Sequence, residues 1–407
     1  MPTPRSAIPP TRLELGEQES HQMHQLYRTL HANPELSMQE HKTADLIAGR
    51  LTELGLENFR CGGTGVVGIL SNGDGPVVAF RADTDGLPIR EETGLPYAST
   101  ATVMHGRGHD THITAALTAA ALLAGAKDAW AGTVVFIFQP GEETAAGARA
   151  MVEDGLWEKA PKPEIVFGQH VMPGASGTVS VCSGHAMAMA DSWKVVVRGV
   201  QAHGSQPQDS VDPIVLGAHM VVRLQTLVSR ETHPLDSAVV TVGTFHAGLK
   251  ENIIPASAEF TVNVRTFTPD VREKVLAGIR RIILAEAAAT AAPAPEITEL
   301  SAFPRCYNDP AETALLIRRF REALGSDSVT ELPPTMGSED FGTLADAIAV
   351  PSVYWRFGGC PAEQLADGGP VFGNHSPRFA PAIEPTLSTG VRAALAAILS
   401  KVGTAED

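Results

Sequence analysis

Imidazoles and carboxylates gather in a few short stretches of this chain, and these are the side chains that hold divalent metals and move protons near neutral pH. The stretches are Arg81-Ala82-Asp83-Thr84-Asp85, Met104-His105-Gly106-Arg107-Gly108-His109-Asp110-Thr111-His112, Gln139-Pro140-Gly141-Glu142-Glu143 and Gly168-Gln169-His170. A fifth, Gly373-Asn374-His375-Ser376-Pro377, lies far downstream. Taken singly each is weak, because a lone His or a pair of Glu is more often a surface or hydrogen-bonded structural group. Most of them, however, follow an apolar run, and the ends of strands are where open α/β sheets place their ligands. Zinc, cobalt or manganese accept such donors, and adjacent Glu142 and Glu143 allow one carboxylate to hold metal while the other takes a proton from water.

The elements that must position these clusters alternate along the chain. Ser37-Met38-Gln39-Glu40 has the form of a capping box, after which Ala44, Ile47, Leu51 and Leu54 recur at helical spacing until Gly55. Short runs rich in Val and Ile predict strands over 64–70 and 77–82, separated by the turn signal Asn72-Gly73-Asp74-Gly75. An Ala-rich helix is expected over 113–127, then buried-type strands over 133–138 and 164–167. This alternation argues for an α/β fold, a central sheet with helices on both faces. From 191 to 302 the order becomes strand 193–200, helix 213–228, strands 238–247 and 258–267, helix 269–288 and strand 296–301, the split βαβ pattern of a ferredoxin-like α+β domain. The Ala/Pro-rich stretch 289–295 reads as a loop. The remainder returns to alternation and ends in an amphipathic segment over 385–401. The expected organisation is a catalytic domain in two parts, 1–190 and 303–407, around an inserted small domain, 191–302.

Composition excludes several function classes. A chain of 407 residues exceeds what one core usually organises, and 43% apolar residues suffice for cores of ordinary size. The net charge of −15 comes from scattered carboxylates with no Lys/Arg block to neutralise a phosphate backbone, so nucleic acid is not an expected partner. MPTPRSAIPPTRLELGEQ is Pro-rich and polar, without the apolar stretch of a signal peptide, and reads as a loose arm leading into the first helix. No apolar run reaches membrane-spanning length, so no membrane association is expected. Cys61, Cys182, Cys306 and Cys360 show no paired spacing, which points to free thiols in a reducing, cytoplasmic setting.

The chain resembles the metallo-aminoacylases, the branch of the dimetal carboxypeptidase-like peptidases that includes hippurate hydrolases, auxin-conjugate amidohydrolases and N-acyl-glutamine aminoacylase. The resemblance covers nearly the whole chain. It is carried by Leu30-His31-Ala32-Asn33-Pro34-Glu35-Leu36-Ser37, Arg81-Ala82-Asp83, Gly108-His109-Asp110, Gln139-Pro140-Gly141-Glu142-Glu143, Asn252-Ile253-Ile254-Pro255, Val264-Arg265-Thr266-Phe267, Gly337-Ser338-Glu339-Asp340-Phe341 and Asn374-His375-Ser376-Pro377. It implies a metal-dependent amidohydrolase that cleaves the amide bond of small N-acyl amino acids, using one or two divalent ions (zinc, manganese, cobalt or nickel). The implied ligands are His109, Glu143, His170 and His375, with Glu142 as the general base that activates water and returns the proton to the leaving amine. His203, in Gln201-Ala202-His203-Gly204-Ser205, matches a histidine that in relatives reaches the active site from the small domain, often that of the partner subunit, and would stabilise the oxyanion. A homodimer through the small domain is implied with it. Asn252 and Arg265 match positions that hold the substrate carboxylate, the alternative for Arg265 being a surface salt bridge. Asp83 and Asp85 are either acceptors supporting the metal pocket or ordinary strand-end turn residues.

One position departs from the family pattern. Two residues before the first ligating histidine relatives carry a cysteine, and here stands Arg107. A guanidinium has no lone pair to give and stays protonated, so Arg107 is not a ligand. A unit charge about 6 Å from another, at an effective dielectric of about 20, is repelled by roughly 3 kcal/mol, and a dication doubles that. Arg107 is therefore expected to empty one metal position, unless it turns to solvent or pairs with Asp83 or Glu143. It is also a candidate for binding a substrate acid group. His105 and His112 lie near enough in sequence to substitute as ligands, against the commoner role of a helix-start hydrogen-bonding group. The alternative to hydrolysis is a pocket with an impaired metal site that binds without cleaving, or that forms or transfers amides.

Overall fold

The computed structural model describes residues 13–404 except 367 and 369; the first twelve residues of the Pro-rich arm lie outside the described residues. The chain divides into two compact units, one formed by Met1–Ala186, Tyr307–Pro334 and Asp340–Asp407, the other by Met187–Cys306 and Thr335–Glu339.

The larger unit is built on a mixed sheet whose strands run, from one edge to the other, Glu57–Cys61, Gly65–Asn72, Gly132–Gln139, Val77–Asp83, Ile165–Ala175, Ser352–Cys360, Val179–Val181 and Val329–Glu331. The central strands are parallel to one another, and Gly65–Asn72 joins them antiparallel. Successive residues of Val77–Asp83 are buried, which requires cover on both faces. Val78, Phe80 and Ala82 share a core with the helices His109–Gly125 and Thr386–Val402, while Phe341 lies against Tyr354 with ring centroids 5.1 Å apart. The turn 72–75 does separate two strands, but they are not neighbours: Gly132–Gln139 lies between them in the sheet. Among the described residues, no helix is long and apolar enough to cross a membrane.

The proposed capping box at Ser37–Glu40 is not one. The helix His41–Glu53 receives no side-chain cap from its preceding residue, and its first-turn amides of Lys42 and Thr43 donate instead to the Glu35 carboxylate, at 3.2 and 2.8 Å. Ser37 Oγ donates to Asp85 Oδ2 at 2.7 Å, and buried Glu40 accepts from the Gly141 amide at 2.9 Å. Both side chains therefore brace the acidic loops rather than the helix.

The smaller unit is an antiparallel sheet in the order Ala238–Ala247, Ser257–Thr266, Met189–Arg198 and Glu296–Phe303, carrying the helices Pro213–Thr226 and Pro269–Ala289. Numbered along the chain its strands lie 2-3-1-4, the ferredoxin-like arrangement. Ser257–Thr266 alternates strictly between half-buried and buried residues, the signature of a sheet with one packed face. That face packs Val195, Phe260 and Val262 against Leu216, Met220, Ile279 and Ile283. Asp212 and Asp309 each precede a proline at the first helical position and accept hydrogen bonds from the two amides that follow it, which sets where the Pro213–Thr226 and Pro310–Leu324 helices begin.

Candidate metal centre

Three segments of the larger unit converge at the ends of its central strands. Asp83 ends Val77–Asp83 and Asp85 lies two residues beyond it, Glu142 and Glu143 follow Gly132–Gln139, and His170 lies within Ile165–Ala175. His109 and His112 open the helix His109–Gly125. That helix starts at Gly108, whose φ of +83° suits glycine and whose added Cβ would stand 2.4 Å from Val171 Cγ1. Only glycine lets this turn approach the neighbouring strand so closely.

Asp85 organises the cluster. Its carboxylate accepts from His109 Nδ1 at 3.1 Å, from Ser37 Oγ at 2.7 Å and from the Glu143 amide at 3.0 Å. A carboxylate on Nδ1 leaves Nε2 as the ligating nitrogen, and His109 Nε2 is buried with no hydrogen-bond partner among the described residues, 3.6 Å from Asp83 Oδ2 and 4.0 Å from Glu142 Oε2. Burial would lower the His109 pKa, but Asp83, Asp85 and Glu143 raise it to about 10. Three carboxylates around a buried ring nitrogen that has no hydrogen-bond partner among the described residues are what a site for a cation looks like. His170 is arranged alike: Nδ1 donates to the Val171 carbonyl at 2.7 Å, and Nε2 is buried and unpartnered. Burial holds its pKa well below the usual value, with the neighbouring His112 acting in the same direction, so its lone pair is available.

His112 is a different case. Nδ1 donates to Asp83 Oδ1, and Nε2 accepts from the Val171 amide at 2.8 Å, so neither nitrogen has a lone pair left. The expectation that it could substitute as a ligand is corrected on that ground. His105 is buried with both ring nitrogens unpartnered, and burial lowers its pKa to about 4.

Arg107 faces the two glutamates. Its Nη1 donates to Glu142 Oε2 at 2.9 Å, and its Nε lies 3.5 Å from Glu143 Oε1. It does not turn out to solvent: it lies against both glutamates, of which the sequence had offered Glu143. Burial raises the Glu143 pKa to about 6, against the opposing pull of Arg107 and His109. His375 is half-exposed, in a left-handed backbone conformation (φ +70°), with Nε2 3.7 Å from Glu143 Oε2. Burial and the charge of Arg107 lower its pKa to about 4. Behind the cluster, buried Arg81 donates to Gln139 Oε1 (2.9 Å), Asp83 Oδ2 (2.6 Å) and Asp340 Oδ1 (3.1 Å), and Asp340 also accepts from Gln139 Nε2 (2.6 Å) and the Ala148 amide (3.1 Å). Ser37, Glu40 and Asp340 carry no metal-ligand signal of their own in the sequence; only their place among the motifs marked them.

His203, Asn252 and Arg265 belong to the smaller unit. Residues 202–203 pair antiparallel with 253–254, and the Gly204 amide donates to the Asn252 carbonyl at 2.8 Å, so His203 and Asn252 are neighbours. Both are exposed, and His203 Nδ1 lies 2.8 Å from Ser205 Oγ. Half-buried Arg265 donates from Nε to Asn263 Oδ1 at 3.0 Å and from Nη1 to the Met336 carbonyl.

The donors present fit a divalent ion: two buried imidazole nitrogens without partners, oriented by hydrogen bonds at their other nitrogens, with carboxylates beside them. The comparisons with known proteins agree. Peptidase family M20/M25/M40 matches residues 79–400. The hippurate hydrolase of Campylobacter jejuni is 38% identical over 322 residues, covering 78% of this chain and 83% of that protein. Thermostable carboxypeptidase 2 of Saccharolobus solfataricus is 34% identical over 362 residues, covering 87% and 89%. A dinuclear metal-binding peptidase of family M20 from Bacillus subtilis superposes with a TM-score of 0.75 at 31% identity, over 94% of this chain and 99% of that one. The chain belongs to peptidase family M20/M25/M40, as a metal-dependent hydrolase of amide bonds.

Proposed function

We propose that the chain hydrolyses the amide bond of N-acyl amino acids, with His109 and His170 as principal ligands, Glu143 and His375 beside them, and Glu142 as general base. The observation that carries this reading is the pair of buried nitrogens without partners among the described residues, His109 Nε2 and His170 Nε2, among the acids of two strand ends. A bound divalent ion supplies Lewis acidity toward water and the amide carbonyl. Glu142 takes the proton from the attacking water and returns it to the leaving amine, a task its burial next to His109 suits. His203 donates to the developing oxyanion, and Asn252 and Arg265 hold the substrate carboxylate. The hippurate hydrolase among the relatives favours a free carboxylate on the substrate. The protein works in the cytoplasm as a homodimer through its smaller unit, whose strand Ala238–Ala247 is a sheet edge among the described residues.

The test is turnover of acyl-glutamine, hippurate and acyl-aromatic conjugates by metal-stripped and metal-replete protein, with light scattering on the same samples. Cleavage that requires metal is expected. A folded, metal-replete protein that cleaves none of the panel sinks the reading, and a monomer with full activity sinks the dimer.

A further inference from the structure

We propose that the Arg107 guanidinium occupies the place of a second metal ion, so that this chain holds one divalent ion and supplies the second cation itself. The proposal rests on the reading of the site as a metal centre and asks how many ions it holds. A relative of the same fold at 31% identity is described as dinuclear. Two adjacent ions need two sets of donors, and here the sets are unequally engaged. His109 Nε2 and His170 Nε2 have no partner among the described residues and, with one carboxylate and water, would supply the four donors that a single ion takes. Glu142 and Glu143, the acids that a second ion would need, already face a permanent cation at 2.9 and 3.5 Å. His112, within reach of the cluster, has no lone pair to add.

The backbone holds Arg107 in this position from both sides. The Arg107 carbonyl accepts from Asn374 Nδ2 at 3.1 Å, the Gly106 carbonyl accepts from the His375 amide at 2.8 Å, and the Gly108 amide closes the turn onto the His105 carbonyl at 2.9 Å. With the main chain fixed on the loop that carries His375, the side chain, 20% exposed, spans to the glutamates. A planar guanidinium offers two or more N–H groups to adjacent carboxylates and cannot be deprotonated, so it compensates buried acids as a metal does but ligates nothing.

The experiment compares the full chain with Arg107→Ala, Arg107→Cys and Arg107→Lys. Each is stripped, titrated with Zn²⁺ and with Mn²⁺, and read by calorimetry and by metal analysis after gel filtration, with melting curves checking the fold. The unaltered chain and Arg107→Lys are expected to hold about one ion. Arg107→Ala is expected to take a second ion at least about tenfold more tightly than the unaltered chain does, because the cation is gone even though no ligand replaces it. Arg107→Cys should hold it more tightly still. Two ions of similar affinity in the unaltered chain overturn the proposal. So does a second ion gained by the cysteine variant and not by the alanine one, which would assign the effect to a missing ligand rather than to the charge. Amide hydrolysis on the same samples decides the proposed function separately: one ion without turnover sinks that function and leaves this inference standing.

Discussion

The larger unit buries a cluster of charges at its strand ends and the smaller one leaves most of its own at the surface, and the difference decides how each can be read. In the larger unit Arg81, Asp83, Asp85, His109, Asp110, His112 and Glu142 are all buried. A buried polar atom must be satisfied, so an unsatisfied one carries information, and His109 Nε2 and His170 Nε2 point to a cation for that reason. In the smaller unit His203 and Asn252 are exposed, water can satisfy them, and their geometry places no demand on a ligand. Burial is therefore a witness to function in one unit and silent in the other.

The largest effect should come from within the buried cluster. Glu142→Gln keeps the volume and loses the basic oxygen, so kcat should fall at least about 100-fold while metal content and melting temperature stay near those of the unaltered chain. Steady-state kinetics beside metal analysis checks this. A variant retaining a tenth of the activity would remove Glu142 from the base role and weaken the claim that burial marks the working residues.

A second expectation concerns buried charge without chemistry. His31 lies between Asp110 Oδ2 (2.6 Å) and Glu91 Oε1 (3.0 Å), all three side chains buried. Burial alone would lower its pKa, but Asp110 and Glu91 raise it to about 10. His31→Gln leaves two buried carboxylates without their cation and should cost about 3 kcal/mol in urea unfolding at pH 7. A group whose pKa is raised on folding contributes fully below its unfolded value, about 6.5, and loses that contribution as pH rises through about 10. The difference between the two proteins should therefore shrink between pH 7 and pH 10. A constant difference would locate the effect in packing rather than charge.

Local periodicity was enough for the elements, because apolar spacing records which face is packed: the strand Ala238–Ala247 and the helix Pro269–Ala289 sit where their patterns place them. Partners distant in sequence were not legible. Ser37 looks like a helix cap within its own four residues, yet its hydrogen bond goes to Asp85, 48 residues on, while Glu35 caps the helix. That Arg107 has no lone pair follows from its residue type; that it lies against Glu142, 35 residues away, depends on the turn before the His109–Gly125 helix meeting the end of the strand Gly132–Gln139. His112 shows the converse, a good ligand type whose lone pair the fold assigns to the Val171 amide.

The smallest expected effect lies in the smaller unit, and it asks whether burial or the unit itself sets the cost of losing a charge. That unit carries arginine–carboxylate pairs of contrasting exposure. Arg272 donates from Nε and Nη2 to Asp191 at 2.8 and 2.6 Å, and the aspartate side chain is 2% exposed. Arg198 pairs with Glu296 at 3.0 Å with both side chains more than half exposed. Solvent screens the second pair and ordering two long side chains offsets most of what remains, so Arg198→Met should change unfolding free energy by no more than about 0.5 kcal/mol. Arg272→Met strands a buried carboxylate and should cost about 2 kcal/mol. Raising salt from low concentration to about 1 M should erase the Arg198 difference and leave the Arg272 one largely intact, since the buried Asp191 carboxylate is shielded from counterions while both partners of the other pair are exposed. If both substitutions cost the same in denaturant titrations, the local environment is not what separates the two kinds of charge, and the contrast between the units needs another cause.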